Sequence, residues 1–274
     1  MKPSAARIRE LARRALEEDG ASRDLTAPVV GNRRVRGRIV ARQDLVVCGL
    51  EVAREVFRLM GARLATRRRD GRWVRRGATV AVVTGPARGV LAAERTALNF
   101  LQRLSGIATL TRRFAERARP ARLFDTRKTT PGLRDLEKYA VRCGGGHNHR
   151  AGLHEGAMVK DNHIAAVGDL EELRGKVWEL AAAGRPVAIE ARTVEQALLF
   201  ATFPVRVLLL DNFPLPALRR AVRAVRAVNP SIEIEASGGV TLANVRAVAR
   251  TGVDRISAGA LTHSAPAVDL ALEL

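Results

Sequence analysis

After Pro120 the sequence keeps one rhythm almost to its end, and that rhythm restricts the fold more than any other feature. Short apolar runs at ARLFDT (121–126), GAMVKD (156–161), PVAIEA (186–191), VRVLLLDN (205–212), IEIEASGG (232–239) and DRISAGA (254–260) read as strands. Between most of them lie helical patterns with one apolar stripe: LRDLEKYAVRC, LEELRGKVWELAAAG, TVEQALLFAT, LPALRRAVRAV and TLANVRAVARTG. Strands apolar along their length need cover on both faces, and amphipathic crossover helices supply it. The region is therefore expected to be α/β with a parallel sheet, closed as a barrel or open and doubly wound.

The first ~105 residues follow a different pattern, typical of strands that alternate rather than run apolar throughout. A helix is expected from Ser4, its N-cap, to near Gly20, with Ile8, Leu11, Ala12, Ala15 and Leu16 on its apolar face. VRGRIVARQDLVVCG and RLATRRRDGRWV read as antiparallel strands, with Asp70-Gly71 as a hairpin signal. A long helical stretch from Gly89 to Ala118 follows, with Gly106 as its expected bend. The expected division is a first domain at 1–105 and a second at 106–265, with the tail 266–274 packing back on the first.

No run in the 274 residues reaches the ~18–20 uninterrupted apolar positions of a membrane span. The charged N-terminus lacks the apolar core of a secretory signal. Two cysteines, Cys48 and Cys143, are too few for a disulfide scaffold, so a reducing cytoplasm is expected. The formal charge of +19 raises the alternative of a nucleic-acid-binding surface. Against it, 42 arginines stand beside only five lysines, spread along the chain with few aromatics to stack on bases. Nucleic acid is therefore not expected as the main partner.

The strand ends carry the chemistry. Asp125-Thr126-Arg127-Lys128, Lys160-Asp161-Asn162, Glu190, Asp211-Asn212, Ser237-Gly238-Gly239 and Ser257-Ala258-Gly259 each fall at the C-terminal end of an expected strand. In a parallel barrel these ends share one rim, where active sites are built. Any single polar terminus is ordinary; six in one register, rich in cations and glycines, suit a phosphorylated, acidic ligand. Arg127 and Arg150 offer forked donors for carboxylates, and Lys128 and Lys160 offer point charges. Gly238, Gly239 and Gly259 allow backbone N–H groups to approach phosphate oxygens ahead of helix-like segments. Glu190 and Asp211 suit a divalent cation or ribose hydroxyls, or pair with neighbouring arginines.

Taken together, ERTALNFLQRLSGIAT, DTRKTTPGLRDLEKYAVRCGGGHNHRAGLHEGAMVKDNHI, LLLDN, EASGG and ISAGALTHS resemble the quinolinate phosphoribosyltransferases over nearly the whole chain. The resemblance implies an N-terminal α/β sandwich and an incomplete parallel α/β barrel, assembled at least as a homodimer. It implies that quinolinate and phosphoribosyl pyrophosphate give nicotinate mononucleotide, pyrophosphate and CO2, with Mg2+, in NAD biosynthesis. Carried over by position, it assigns quinolinate to Arg127, His149, Arg150 and Lys160, with Thr126 among the substrate-binding residues. Arg95 would reach the partner subunit's site. Lys128, Glu190 and Asp211 would serve the phosphoribosyl pyrophosphate, the two acids holding its metal. Ser237, Gly238, Gly239, Ala258, Gly259 and Ala260 would bind the 5'-phosphate.

One departure stands out: the family strand reads E-V-E-V-E where this chain has Ala188-Ile189-Glu190-Ala191-Arg192, so two flanking acids are missing. The segment RCGGGHNHR has metal-ligand residue types in Cys143, His147 and His149 but no evident fourth ligand. It is expected instead to be a tight βα-type loop presenting His149 and Arg150 to a dianionic pyridine. His147, His154 and His163 are expected to make structural hydrogen bonds. A related pyrophosphorylase acting on another base remains an alternative.

Overall fold

The computed structural model describes residues 2–274, which divide into two compact units. The first comprises the chain up to Arg112, Thr129–Gly145 and Leu261–Leu274. The second comprises Arg113–Lys128 and Gly146–Ala260. Thr129–Gly145, which lies within the 106–265 range of the expected second domain, thus groups with the first unit.

In the first unit the helix Ala5–Glu18 buries Ile8, Leu11, Ala12 and Leu16, and the Ser4 hydroxyl accepts from Arg7 N at 3.2 Å. The strands β1 (Arg34–Ala41), β2 (Leu45–Val46), β3 (Arg63–Thr66), β4 (Trp73–Val74), β5 (Thr79–Pro86) and β12 (Leu270–Glu273) follow in chain order. Four of them form an antiparallel sheet in the order β12-β1-β5-β3. Its core gathers Leu16, Ile39, Val56, Phe57, Val83, Leu101 and Leu270. Burying a side chain such as Phe57 contributes about 2–3 kcal/mol.

Two local expectations give way to tertiary contacts in this unit. The Asp70-Gly71 turn does not close a hairpin, because β3 pairs with β5 and β4 pairs with β2. Asp70 instead accepts from Leu50 N at 3.3 Å, at the start of the helix Leu50–Leu59. The helix Ala87–Ala118 runs through Gly106 without interruption. A Cβ there would stand 2.1 Å from Pro266 O, so this glycine serves close backbone approach.

The second unit contains β6 (Arg122–Phe124), β7 (Ala157–Val159), β8 (Val187–Ala191), β9 (Val207–Asp211), β10 (Glu233–Ser237) and β11 (Arg255–Ser257). All six lie at the expected runs and pair in parallel in the order β6-β11-β10-β9-β8-β7. The sheet is open between β6 and β7, as in an incomplete barrel. Helices Leu170–Ala182, Val194–Phe200 and Leu215–Val228 cross between strands and bury apolar faces such as Leu218, Ala221, Val222 and Val225. The helix expected over 241–252 shrinks to Val245–Ala249. The Asn244 side chain accepts from Thr241 N and donates to Gly239 O, competing with helical bonding. Among the described residues no helix is long and apolar enough to cross a membrane.

Candidate active site

Pleat and register bring the strand-end residues of the second unit together. Glu190, Leu209 and Glu235 are partners across β8, β9 and β10, and Asp211 pairs with Ser237. Side chains two apart share a face, so both rows point the same way. Thr126, Arg127, His149, Arg150, Met158, Lys160, Leu209, Glu235, Ser237 and Ser257 line a cavity of about 100 Å³ at that end of the sheet. A larger depression of the first unit, about 480 Å³, is lined by Arg54, Arg58, Arg63 and the residues from Ala62 to Thr66, and it gathers no acid, lysine or histidine.

RCGGGHNHR reaches the cavity by another route than the expected βα loop. The helix Arg134–Cys143 ends before Gly144 and Gly145, and His147 then forms a parallel bridge with Phe124 at the edge of β6. His147 N donates to Leu123 O at 2.7 Å, and Asp125 N donates to His147 O at 3.0 Å. Fully buried Asp125 fastens the next two residues, accepting from Asn148 Nδ2 at 2.6 Å and from His149 N at 2.8 Å. The His147 ring stacks on Phe124, while His163 Nδ1 accepts from Lys160 N at 3.1 Å.

Charge is unbalanced in the cavity. Arg150 donates to Gly156 O at 2.8 Å, and burial, then the nearby Arg127 cation, push it below its usual value. Like cations held near one another in a partly buried cavity cost free energy, and a bound anion removes that cost. His149 and Glu235 are joined by a hydrogen bond of 2.6 Å between Nε2 and Oε1. Glu235 is fully buried, and its other oxygen has no hydrogen-bond partner among the described residues. Sequence reasoning missed Glu235; its signal was an acid two residues before Ser237, on the face that the pleat turns towards the site.

Beside the cavity, Glu190 lies 3.8 Å from both Lys160 Nζ and Arg192 Nε. Burial, then the charge of Asp211, push its carboxyl above the ordinary range. Asp211 accepts from Asn212 Nδ2 at 2.6 Å. Asn212 has φ 57°, and its side chain covers the next turn so closely that a Cβ on Gly238 would meet Oδ1 at 2.2 Å. Gly238 and Gly239 are exposed in the left-handed region, which favours glycine. Ala258 N donates to Phe124 O at 3.1 Å, and Gly259 leads into the four-residue helix Ala260–His263. Lys128 is exposed, with its N–H bonded to Thr126 Oγ1 at 3.0 Å. Arg95 is exposed on the helix Ala87–Ala118 of the first unit.

Family models now bear on this geometry. The quinolinate phosphoribosyl transferase C-terminal domain matches residues 107–273, and the N-terminal domain of the same family matches 24–105. The chain belongs to the quinolinate phosphoribosyl transferase family. A nicotinate-nucleotide pyrophosphorylase [carboxylating] of Mycobacterium leprae is 42% identical over 277 residues, covering 97% of this chain and 96% of that protein. A probable enzyme of the same name from Bacillus subtilis is 39% identical, covering 94% and 90%. The solved nicotinate-nucleotide pyrophosphorylase of Francisella tularensis matches with a TM-score of 0.92 at 33% identity, covering 99% of this chain and 97% of that one. The quinolinate phosphoribosyl transferase assignment fits a cavity in which cations outnumber acids.

Proposed function

We propose that the cavity of the second unit holds quinolinate and that the adjoining rim holds phosphoribosyl pyrophosphate. The chain transfers the phosphoribosyl group to quinolinate with decarboxylation, giving nicotinate mononucleotide, pyrophosphate and CO2. The observation that carries the site assignment is the approach of Arg127 and Arg150, with Lys160 and His149 lining the same cavity. A ring with two adjacent carboxylates matches these cations, since arginine forks bind carboxylates through paired hydrogen bonds.

Orientation and electrostatics perform the chemistry. Arg127, Arg150, Lys160 and His149 hold the pyridine so that its nitrogen faces the anomeric carbon, which lowers the entropic part of the barrier. Exposed Lys128 would offer a departing pyrophosphate a cation. Backbone N–H groups of the Ser237-Gly238-Gly239 turn and of Ala258-Gly259-Ala260 suit the 5'-phosphate. Once the ring nitrogen is quaternised it accepts the electron pair left by the 2-carboxylate. No covalent nucleophile is needed.

Glu190 and Asp211 fit a divalent cation, since their charges disfavour one another at the rim and carboxylate oxygens are the ligands Mg2+ takes. Bound there, Mg2+ would neutralise charge on the leaving pyrophosphate. The reading extends to a cytoplasmic homodimer in which Arg95 of each chain enters its partner's site.

The test is an assay of the purified protein with phosphoribosyl pyrophosphate, Mg2+ and either quinolinate or nicotinate, following mononucleotide and CO2. Product from quinolinate alone is expected. A folded protein that binds phosphoribosyl pyrophosphate yet turns over neither base would assign the cavity to another acceptor.

A further inference from the structure

We propose that Cys48, Asp70 and Cys143 form a binding site for a thiophilic divalent cation, zinc, inside the first unit. Their ligand atoms all lie within 4.8 Å of one another, the one such group of three among the described residues. In a tetrahedral zinc site with Zn–S near 2.3 Å and Zn–O near 2.0 Å, ligand atoms stand roughly 3.5–3.8 Å apart. The triad therefore has to close by no more than about 1.3 Å. The cysteine of RCGGGHNHR thus belongs to a different constellation from its two histidines.

Each ligand comes from a different segment, and each is already fastened. Cys48, fully buried between β2 and the helix Leu50–Leu59, donates its N–H to Ser105 Oγ at 2.9 Å. The same hydroxyl donates back to Cys48 O at 3.1 Å. Asp70 accepts from Leu50 N through Oδ1 and from the Tyr139 hydroxyl through Oδ2, at 3.3 and 3.0 Å. The Gly49 N–H also bonds to this carboxylate; its two oxygens have four lone pairs, so these three donors fix its orientation and leave one for a metal.

Cys143 closes the helix Arg134–Cys143, and here a single guanidinium serves two ligands. Arg112 donates from Nε to Gly144 O at 3.0 Å and from Nη2 to Gly71 O at 3.4 Å, tying the residue after Cys143 to the residue after Asp70. Gly71 itself comes so close that a Cβ would stand 3.3 Å from Cys143 O. Ser105 and Arg112 both belong to the helix Ala87–Ala118, so one rigid element sets all three ligand segments.

Two sulfurs and one carboxylate select zinc over magnesium or calcium, which prefer all-oxygen shells. Asp70 and Cys143 are half-buried, leaving one side from which a cation and a fourth, water ligand can enter. Binding forms two Zn–S bonds and one Zn–O bond and releases the thiol protons to solvent.

The test uses the full-length protein, reduced with a phosphine and stripped of metal by a chelator. Titration with Co2+ should give one equivalent of binding, a near-ultraviolet thiolate-to-cobalt charge-transfer band and the visible bands of a tetrahedral site, all displaced by one equivalent of Zn2+. Cys143→Ser should weaken binding at least about tenfold and diminish the charge-transfer band. If that variant does not fold, the wild type still decides: Zn2+ should protect the half-buried Cys143 thiol from alkylation, and excess chelator should restore its reactivity. Absence of the charge-transfer band, equal uptake by a Cys48→Ala/Cys143→Ser protein, or alkylation unaffected by Zn2+ would each overturn the proposal.

Discussion

The two ends of the parallel sheet use the same side chain in opposite ways. Where the strands begin, arginines meet acids of their own unit. Glu233 receives Arg122 and Arg255 with Arg206 at 4.0 Å, and Asp254 receives Arg226. Where the strands finish, Arg127, Arg150 and Lys160 line a cavity with Glu235, which is bonded to His149, and Glu190 beside it stands 3.8 Å from Lys160. Matched charges need no further partner, whereas gathered like charges are stabilised by an anion from outside. In a chain with 42 arginines, composition cannot locate a site; local imbalance can.

The largest effect should come from breaking the unbalanced end. Arg150→Ala is expected to lower kcat/KM for quinolinate about 100-fold, the size of a lost contact to a bound charge. The KM for phosphoribosyl pyrophosphate should change little, and the protein should stay folded, because the hydrogen bond to Gly156 O is a single contact worth about 1 kcal/mol. Equal loss for both substrates would reassign Arg150 to the phosphates. Glu235→Gln should follow, with a loss of about 10-fold in quinolinate kcat/KM from the weakened hydrogen bond to His149. If Glu235 acts through His149, adding Glu235→Gln to His149→Ala should cost almost nothing more. Additive losses would give Glu235 a separate contact with substrate.

Much of this contrast was legible in the sequence, and the parts that were not have physical reasons. Six strands and the polar residues at their ends follow from apolar runs whose termini repeat in register. Arg127, His149, Arg150 and Lys160 do converge on one cavity. The bridge at His147 was missed because nothing local shows that a segment after a helix returns to the edge of a strand. Asp70-Gly71 misled for a similar reason: the turn exists, but tertiary pairing sends β3 and β4 to different partners. Glu235 was passed over because its partner lies 86 positions away and only the pleat brings them together.

The balanced end should answer to stability rather than to activity. Glu233→Gln should leave kinetics unchanged and cost about 1 kcal/mol, kept small because the carboxylate is a quarter exposed and screened by solvent. A cost of that size lowers the melting temperature by about 2–4 °C. Burial opposes the ionisation of Glu233, but Arg122 and Arg255 outweigh it and hold its carboxyl below the ordinary range. A folded value below the unfolded value of about 4.3 means that this stabilisation is complete above that pH and fades as pH falls through the folded value. Acid titration of thermal stability should therefore be shallower below about pH 4 in Glu233→Gln than in the wild type. Identical curves would remove Glu233 from the account.

The smallest effect tests the place where the two kinds of charge arrangement meet. Arg192, just after β8, bonds to Asp161 at 2.6 Å and stands 3.8 Å from Glu190. In the proposed site it would neutralise part of the charge that Glu190 and Asp211 offer to Mg2+. Arg192→Ala should accordingly lower the Mg2+ concentration for half-maximal rate by about two- to fivefold, in keeping with an exposed guanidinium at 3.8 Å that contributes at most about 1 kcal/mol. Arg192→Glu should lower it further, while the KM for quinolinate stays put in both. A rise in the Mg2+ requirement instead would mean that the guanidinium itself holds the pyrophosphate. Arg192 would then join the cations proposed to meet substrate, rather than the arginines paired with Glu233 and Asp254 at the far end of the sheet.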